Sequence, residues 1–274
     1  MWITINTSSL ISSWNMNSDC SDLRITNTWS LLLDHWIENW CNTSSTNLWF
    51  RTDSIINWVN NFKLQYWNIW ASSNQVSPST LFTFYDNFDD NSLNTSYWQS
   101  ANAAWWSISE TNWKLRLYCA WDSDWATDIW RVQTVNNLTW NFKINYLWER
   151  DQTTSTSYWN YRYITSKYWT QNNFFWSVWT WNIPRQIQLV SNTFTSLPSF
   201  QSWSVVFSKS WNNLYSEFVS WNDSYSGTLN ISMANSKFSI SSECWDHWST
   251  YANIIDNYKV MDYVYPEPVF VWIQ

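Results

Sequence analysis

Two carboxylates placed two residues apart are the clearest sign of catalytic chemistry in this sequence. Glu149 and Asp151 flank Arg150 in the run Leu147–Asp151. In a β-strand, residues at i and i+2 lie on one face, so both carboxylates would point to the same side. Glycoside hydrolysis needs such a pair as general acid and nucleophile. No further Glu follows in the run and Arg150 intervenes, so the motif gives a glycosidase little support.

A neighbouring cluster has the composition of a sugar-binding surface. Sugar recognition needs flat aromatic rings against C–H faces, together with fixed polar groups for the hydroxyls. Tyr161 and Tyr163 alternate onto one face of an expected strand, and nearby arginines can donate hydrogen bonds. The candidate ligand-binding residues are Arg150, Asp151, Tyr161, Arg162 and Tyr163. The alternative is that these tyrosines only cover a sheet face.

The elements that would position these residues are β-strands. Alternating apolar and polar residues, with β-branched or aromatic runs, recur about every 8–12 residues between Asn, Ser, Asp and Trp clusters. This pattern predicts an all-β protein: an antiparallel β-sandwich or jelly roll with a smaller, N-terminally incomplete β-domain. The polar, Pro-containing segment 71–79 is typical of a linker. We therefore expect a small domain over residues 1–78 and the sandwich over residues 79–274.

Charge and hydropathy exclude two classes of partner. The 274 residues carry a formal net charge of −7, and no basic stripe is available to neutralise phosphates, so we expect no nucleic acid. No apolar run approaches the length of about 18 residues that spans a membrane. The expected partner is a glycan or another cell-surface polymer, and no cofactor is expected beyond the calcium alternative below.

The tryptophan content is anomalous. The chain contains 29 Trp and one Gly, whereas a soluble protein of this length carries about 19 glycines at roughly 7% usage. Many of the tryptophans follow or precede Asn or Asp, where Asn-Gly and Asp-Gly turns normally occur. Some bacterial lineages decode UGA as glycine, while a common alternative code decodes it as tryptophan. We therefore hypothesise that most of these tryptophans are glycines in the living protein; the alternative is a genuinely Trp-rich protein.

Residues 8–75 resemble an uncharacterised domain found in bacterial surface proteins. The resemblance rests on the stretches 8–24 and 32–42, and on Leu64–Asn68, which is similar to the family's closing LYYGN strand. The family is sometimes labelled through neighbouring TolQ/ExbB-type proton-channel proteins. Nothing in this sequence supports a channel. The first strands of that family are missing here, so we expect Met1 to be an internal start or a fragment edge.

Residues 81–274 resemble the concanavalin A-like lectin/glucanase superfamily in its laminin-G-like form. The usual opening is Phe84–Asp90 followed by Leu93–Trp98, and Ala252–Val260 resembles the closing strand. The resemblance implies a β-sandwich. The glucanase branch carries Glu-x-Asp-x-x-Glu on one strand, and this chain lacks that motif.

The two resemblances also divide the tryptophans into two sets. One set stands where the families carry Trp, and these residues are expected to be genuine: Trp36, Trp49 and Trp98. The other set stands where the families carry Gly: Trp14, Trp40, Trp67 and Trp113.

Disulfides are a further implication. Cys20 and Cys41 occupy matching positions of the first family, and Cys119 with Cys244 would then join an early and a late strand of the sandwich. An even number of cysteines in a low-charge all-β chain favours an oxidising compartment. The alternative is four buried free thiols.

Calcium is an open alternative, because laminin-G-like sandwiches often hold a structural Ca²⁺ through carboxylates and carbonyls. The candidate ligands are Asp89, Asp90, Asp122, Asp124 and Asp256. The competing interpretation is that these acids lie in surface turns.

These inferences favour a non-catalytic carbohydrate-binding or adhesion module of a bacterial cell-surface or secreted protein, located outside the cell. A glycoside hydrolase of the same fold and a structural spacer without ligand are the alternatives.

Overall fold

The computed structural model describes most of the N-terminal third and the strands of the remainder. The described residues are 1–52, 60–68, 70–101, 108–119, 128–136, 141–151, 161–164, 177–179, 186–189, 192–195, 202–210, 213–219, 224–230, 239–244 and 251–262. They divide into two compact units, with Met1–Thr83 in the first and the residues from Phe84 onward in the second. The expected domain division after residue 78 stays a prediction.

The first unit contains short strands and two short helices. Its elements are β1 (Trp2–Ile5), α1 (Thr7–Ser12), β2 (Arg24–Asn27), β3 (His35–Ile37), β4 (Thr46–Phe50), β5 (Phe62–Gln65) and α2 (Pro78–Leu81). Strands β1, β4 and β3 form one antiparallel sheet in that order, and β2 pairs with β5. Alternation along β4 and β2 buries Leu48, Phe50 and Ile25 in a shared apolar core.

A disulfide joins the loop after α1 to the loop between β3 and β4. Cys20 and Cys41 are bonded, with Cα atoms 6.0 Å apart, and Cys20 is buried in the core of the unit. The predicted pairing of these two cysteines is confirmed.

The segment expected to be a linker is hydrogen-bonded to β3. The Val76 amide donates to the His35 carbonyl over 3.0 Å, and the Ile37 amide donates to Gln75 Oε1 over 3.1 Å. Helix α2 then begins at Pro78, whose fixed φ suits the first helical turn. Because its backbone is bound in this way, this end of the segment belongs to the first unit.

The regular secondary structure in the described residues of the second unit consists entirely of β-strands. They are β6 (Phe84–Asp86), β7 (Trp98–Ala101), β8 (Ile108–Thr111), β9 (Lys114–Cys119), β10 (Asp128–Thr134), β11 (Phe142–Asp151), β12 (Tyr161–Ile164), β13 (Ser177–Trp179), β14 (Gln186–Leu189), β15 (Asn192–Thr195), β16 (Ser202–Ser210), β17 (Asn213–Val219), β18 (Ser224–Asn230), β19 (Ser239–Cys244) and β20 (Tyr251–Asp262). One sheet has the order β15-β14-β13-β12-β19-β10-β7. The other has the order β18-β17-β16-β11-β20-β9-β8, with β6 also paired to β20.

The two sheets pack against each other through their apolar faces. On β11, Phe142, Ile144 and Tyr146 are buried, while the alternate residues Asn145 and Leu147 keep some exposure. Strand β9 contacts β10 and β19 of the other sheet. The predicted all-β antiparallel sandwich is confirmed.

A bulge interrupts the pairing of β20 with β11. The register shifts between Asn145 and Leu147, and Asn257 on β20 has φ 57°, a left-handed conformation that Asn tolerates better than most residues. Before the bulge β20 pairs with β9, and after it β20 pairs with β6. One long strand therefore binds three partners.

Candidate functional site

An accessible group of charged side chains lies on the outer face of the larger sheet. Leu147 is opposite Asp256, and Glu149 is opposite Ile254, so these residues share a face. Ile255 and Leu115 pair on the opposite, buried face. Lys114 precedes Leu115 and Asp256 follows Ile255 along their strands. Because successive side chains alternate between the two faces, both lie on the outer face.

An ion pair spans the central strand of this face. Lys114 Nζ lies 2.5 Å from Glu149 Oε2, across β20, and the two side chains keep 28% and 30% of their exposure. A half-exposed pair of this kind contributes little to folding, since surface ion pairs are typically worth about 0–1 kcal/mol. It does hold a cation and a carboxylate in fixed positions where a ligand can reach them.

Asp256 lies in the electrostatic field of this pair. Burial raises the pKa of its carboxyl above the ordinary value, and the Glu149 carboxylate raises it further. Backbone hydrogen bonding at Asn257 and the ammonium groups of Lys114 and Lys259 act in the opposite direction. We define Lys114, Glu149 and Asp256 as the charged triplet.

The same face continues past the bulge and becomes more buried. Asn145 is opposite Lys259, and Lys259 is opposite Tyr85 of β6. Tyr85 Oη donates to Asn257 Oδ1 over 3.2 Å, whereas Lys143, Lys259 and Ser208 are nearly inaccessible. The accessible part of the face is therefore the end that carries the charged triplet.

The five predicted ligand-binding residues lie on two different sheets. Arg150 and Asp151 end β11, opposite Asn253 and Ala252. Tyr161, Arg162 and Tyr163 belong to β12 of the other sheet, opposite Cys244, Glu243 and Ser242 of β19. Tyr161 and Tyr163 do occupy alternate positions of one strand, as expected. The structure describes the backbone of these residues, and their role as a site stays a prediction.

The three acids proposed for calcium that the structure describes lie in two places. Asp89 accepts a hydrogen bond from Asn87 Nδ2, and Asp90 accepts one from the Ser92 amide, both in the turn that follows β6. Asp256 lies in the charged triplet, and Asp122 and Asp124 fall outside the described residues. No group of three or more His, Cys, Asp or Glu in the described part of the chain is arranged to hold a metal ion.

The sequence does not predict the positions of two charged residues in the sandwich, Lys114 and Glu110. Lys114 opens β9, and its partner Glu149 is 35 residues away, so spacing alone could not connect them. Glu110 pairs with Leu115 and is therefore on the buried face of the sheet. Burial raises the pKa of Glu110 to about 8, and the neighbouring carboxyls of Asp90 and Asp86 add to that rise. Ile108 and Glu110 are two residues apart and therefore share one face of the strand. In the sequence, this spacing to an apolar residue was the sign that Glu110 faces inward.

The second cysteine pair lies at two strand ends. Cys119 ends β9 and Cys244 ends β19, and these strands belong to different sheets that contact each other. The backbone described for these strands is compatible with the predicted bond between them, which stays a prediction.

Comparison with protein families gives one match. Residues 19–101 match DUF2341, a domain of unknown function. The match begins near Cys20, in the region that resembles an uncharacterised bacterial domain, and continues through β6 and β7 of the sandwich. The link to TolQ/ExbB-type proteins stays a prediction. Among curated proteins, no sequence matches this chain significantly.

Solved structures with a similar fold include carbohydrate-active enzymes and a lectin. One is described in connection with endo-acting O-glycanases, which prominent members of the human gut microbiota express to initiate mucin breakdown (9% identity, 66% of this chain and 99% of that chain, TM-score 0.46). Another is the basic winged bean lectin with Tn-antigen (12% identity, 65% and 96%, TM-score 0.45). A third is a β-1,3-glucanase from Mycobacterium marinum (10% identity, 65% and 98%, TM-score 0.40). Likenesses at these identities concern the fold and assign no activity.

The described helices contain no candidate for a membrane span, since none is long and apolar enough to cross a bilayer.

Proposed function

We propose that this chain is a non-catalytic carbohydrate-binding or adhesion module of a bacterial cell-surface or secreted protein. The observation that carries the proposal is the charged triplet on the outer face of the larger sheet. Its ammonium and carboxylate groups are fixed and accessible, as recognition of sugar hydroxyls requires. The Cys20–Cys41 disulfide supports an oxidising, extracellular location.

The ion pair favours binding over hydrolysis. A glycosidase needs one carboxylic acid that keeps its proton and a second carboxylate that attacks or activates water. Glu149 accepts a hydrogen bond from Lys114, an arrangement that suits a fixed acceptor for a sugar hydroxyl.

Hydrolysis is the second candidate because of Asp256. Its pKa is raised, and it shares the sheet face with Glu149, so the two carboxyls could divide the roles of acid and nucleophile. The absence of the Glu-x-Asp-x-x-Glu strand motif makes this the weaker candidate.

The binding proposal is tested with a glycan array probed by the purified chain. For any glycan that binds, Glu149→Gln and Lys114→Met are each expected to weaken the affinity about tenfold, which corresponds to roughly 1.4 kcal/mol. Lys63→Met is the matched control: Lys63 is an exposed lysine on β5 of the first unit, and its removal should leave binding unchanged.

Three results discriminate among the candidates. Equal affinity of the wild type and both triplet variants would reject this face as the binding site. Absence of binding to every glycan on the array would favour a spacer without ligand. Release of reducing ends from a bound glycan, abolished by Glu149→Gln, would establish the hydrolase instead.

A further inference from the structure

Three exposed tryptophans differ from two buried ones in backbone conformation, whereas Trp40, also expected at a glycine position, is exposed but has no positive φ. The same is true of Trp2, Trp29 and Trp70. The three with positive φ are Trp14 (62°), Trp67 (87°) and Trp113 (65°), and all three are exposed. In contrast, Trp49 and Trp98 retain only 3% and 1% exposure and have no positive φ. Positive φ is a genuine outlier for a bulky residue and is the normal conformation of glycine in turns.

Trp14 occupies the position after α1 where glycine ends helices. The Trp14 amide donates to the Ile11 carbonyl, and the Asn15 amide donates to the Leu10 carbonyl, each over 2.9 Å. These two hydrogen bonds, together with the left-handed conformation of Trp14, define a Schellman motif. The left-handed position of that motif is usually glycine. The indole of Trp14 is 89% exposed, so it contributes no packing that would offset the backbone strain.

Trp113 occupies the second position of a two-residue hairpin loop. Strands β8 and β9 pair up to Thr111 and Lys114, and both loop residues, Asn112 and Trp113, have positive φ. That combination is the type I′ turn, for which Asn-Gly is the preferred sequence. An exposed indole at this position adds no contact that the turn requires.

Trp67 follows β5, and the fold fixes its conformation. Its amide donates to Asp22 Oδ2 over 2.8 Å, and Asp22 is itself buried. The left-handed backbone at residue 67 is therefore set by the core of the unit, whichever side chain stands there.

Genuine tryptophans in the same chain have clear structural roles. Trp49 Nε1 donates to Glu38 Oε2 over 2.7 Å, and its ring packs edge-on against Phe82 with centroids 5.1 Å apart. Trp36 also packs against Phe82. Trp98 is enclosed by Phe84, Tyr97 and Tyr258.

We infer that Trp14, Trp67 and Trp113 occupy positions built for glycine, and that their codons are UGA triplets decoded as glycine in the cell of origin. Trp36, Trp49 and Trp98 are encoded by UGG. The inference is independent of the proposed glycan binding, because none of these residues lies in the charged triplet.

The nucleotide sequence and the native protein test the inference directly. We expect UGA at codons 14, 67 and 113, UGG at codons 36, 49 and 98, and tryptic peptides of the native protein that contain glycine at the first three positions. UGG codons at positions 14, 67 and 113, or native peptides with tryptophan there, would overturn it.

A stability comparison of the chain as written provides the physical test. Trp14→Gly, Trp67→Gly and Trp113→Gly are each expected to raise Tm by about 2–4 °C, because each relieves a left-handed bulky residue. The matched controls Trp49→Gly and Trp98→Gly should lower Tm, since they remove buried rings. A fall in Tm for all five variants would count against the inference.

Discussion

Glu110 is a carboxyl on the buried face of the larger sheet. Its partner across the ladder is Leu115, and burial raises its pKa to about 8. Asp86, on strand β6, has a pKa of about 6, again chiefly because of burial. Both groups keep their protons in the folded state at pH values where an unfolded chain would have lost them.

The sandwich should therefore lose stability as the pH rises. The ordinary pKa of Glu110 is 4.5, so between that pH and about 8 the unfolded state releases a proton that the folded state retains, and unfolding becomes more favourable. Tm of the chain is expected to fall over this interval. Glu110→Gln should remove most of the dependence, and this is checked by thermal unfolding of both proteins across the range. An unchanged slope in the variant would contradict the assignment.

His35 is the counterpart of Glu110 in the first unit. It lies fully buried on β3, and burial lowers its pKa to about 4. His35 therefore has a structural position, because its buried side chain has no access to a ligand.

At the scale of elements, the disulfide joins two loops of the first unit. It joins residues 21 positions apart, between α1 and the β3–β4 connection. Closing a loop of this size stabilises a fold by about 3 kcal/mol, chiefly through the unfolded state.

Replacing both cysteines should destabilise the first unit by that amount. The double variant Cys20→Ala, Cys41→Ala is expected to reduce the free energy of unfolding by about 3 kcal/mol, measured by denaturant unfolding followed by circular dichroism. Addition of a thiol reductant should lower the stability of the first unit in the wild type but not in the double variant. Equal stability of the two proteins would show that the bond adds nothing to the fold.

The sequence predicts strands where residues alternate in polarity, and it misses those that tertiary contacts decide. The pattern predicts strands over residues 2–5 and 253–262, and the structure has Trp2–Ile5 and Tyr251–Asp262. The sequence does not predict the three-residue strand His35–Ile37, because so short a segment has no period and gains its structure from β4 and from Gln75. The pattern of residues 81–85 predicts one strand, but Pro78 starts a helix that ends at Leu81.

The candidate site could be predicted only in part for the same reason. Glu149 was recognised from its local spacing to Asp151. Its connection to Lys114 depends on β20, which enters the sheet between β9 and β11 from more than a hundred residues further along the chain. No local pattern in the sequence reveals which late strand separates two earlier ones.

At the scale of the whole molecule, the two units should respond to acid in opposite directions. Folded His35 stays neutral down to a pH of about 4 while an unfolded histidine binds a proton below its ordinary pKa of 6.5, so the first unit loses stability as the pH falls through this interval. The second unit gains stability over the overlapping part of the range through Glu110. Amide hydrogen exchange is expected to show faster opening of β3 and β4 on acidification and slower opening of β8 and β9. Parallel changes in both units would contradict this prediction.

The position of β20 also determines when the larger sheet can form during protein synthesis. This strand completes the larger sheet by pairing with β6, β9 and β11, yet it is the last of the described strands to leave the ribosome. Until residue 262 emerges, β9 and β11 present unpaired backbone edges that invite pairing with other chains. A nascent chain of this design depends on being shielded by chaperones, or on rapid completion of synthesis, before its sandwich can close.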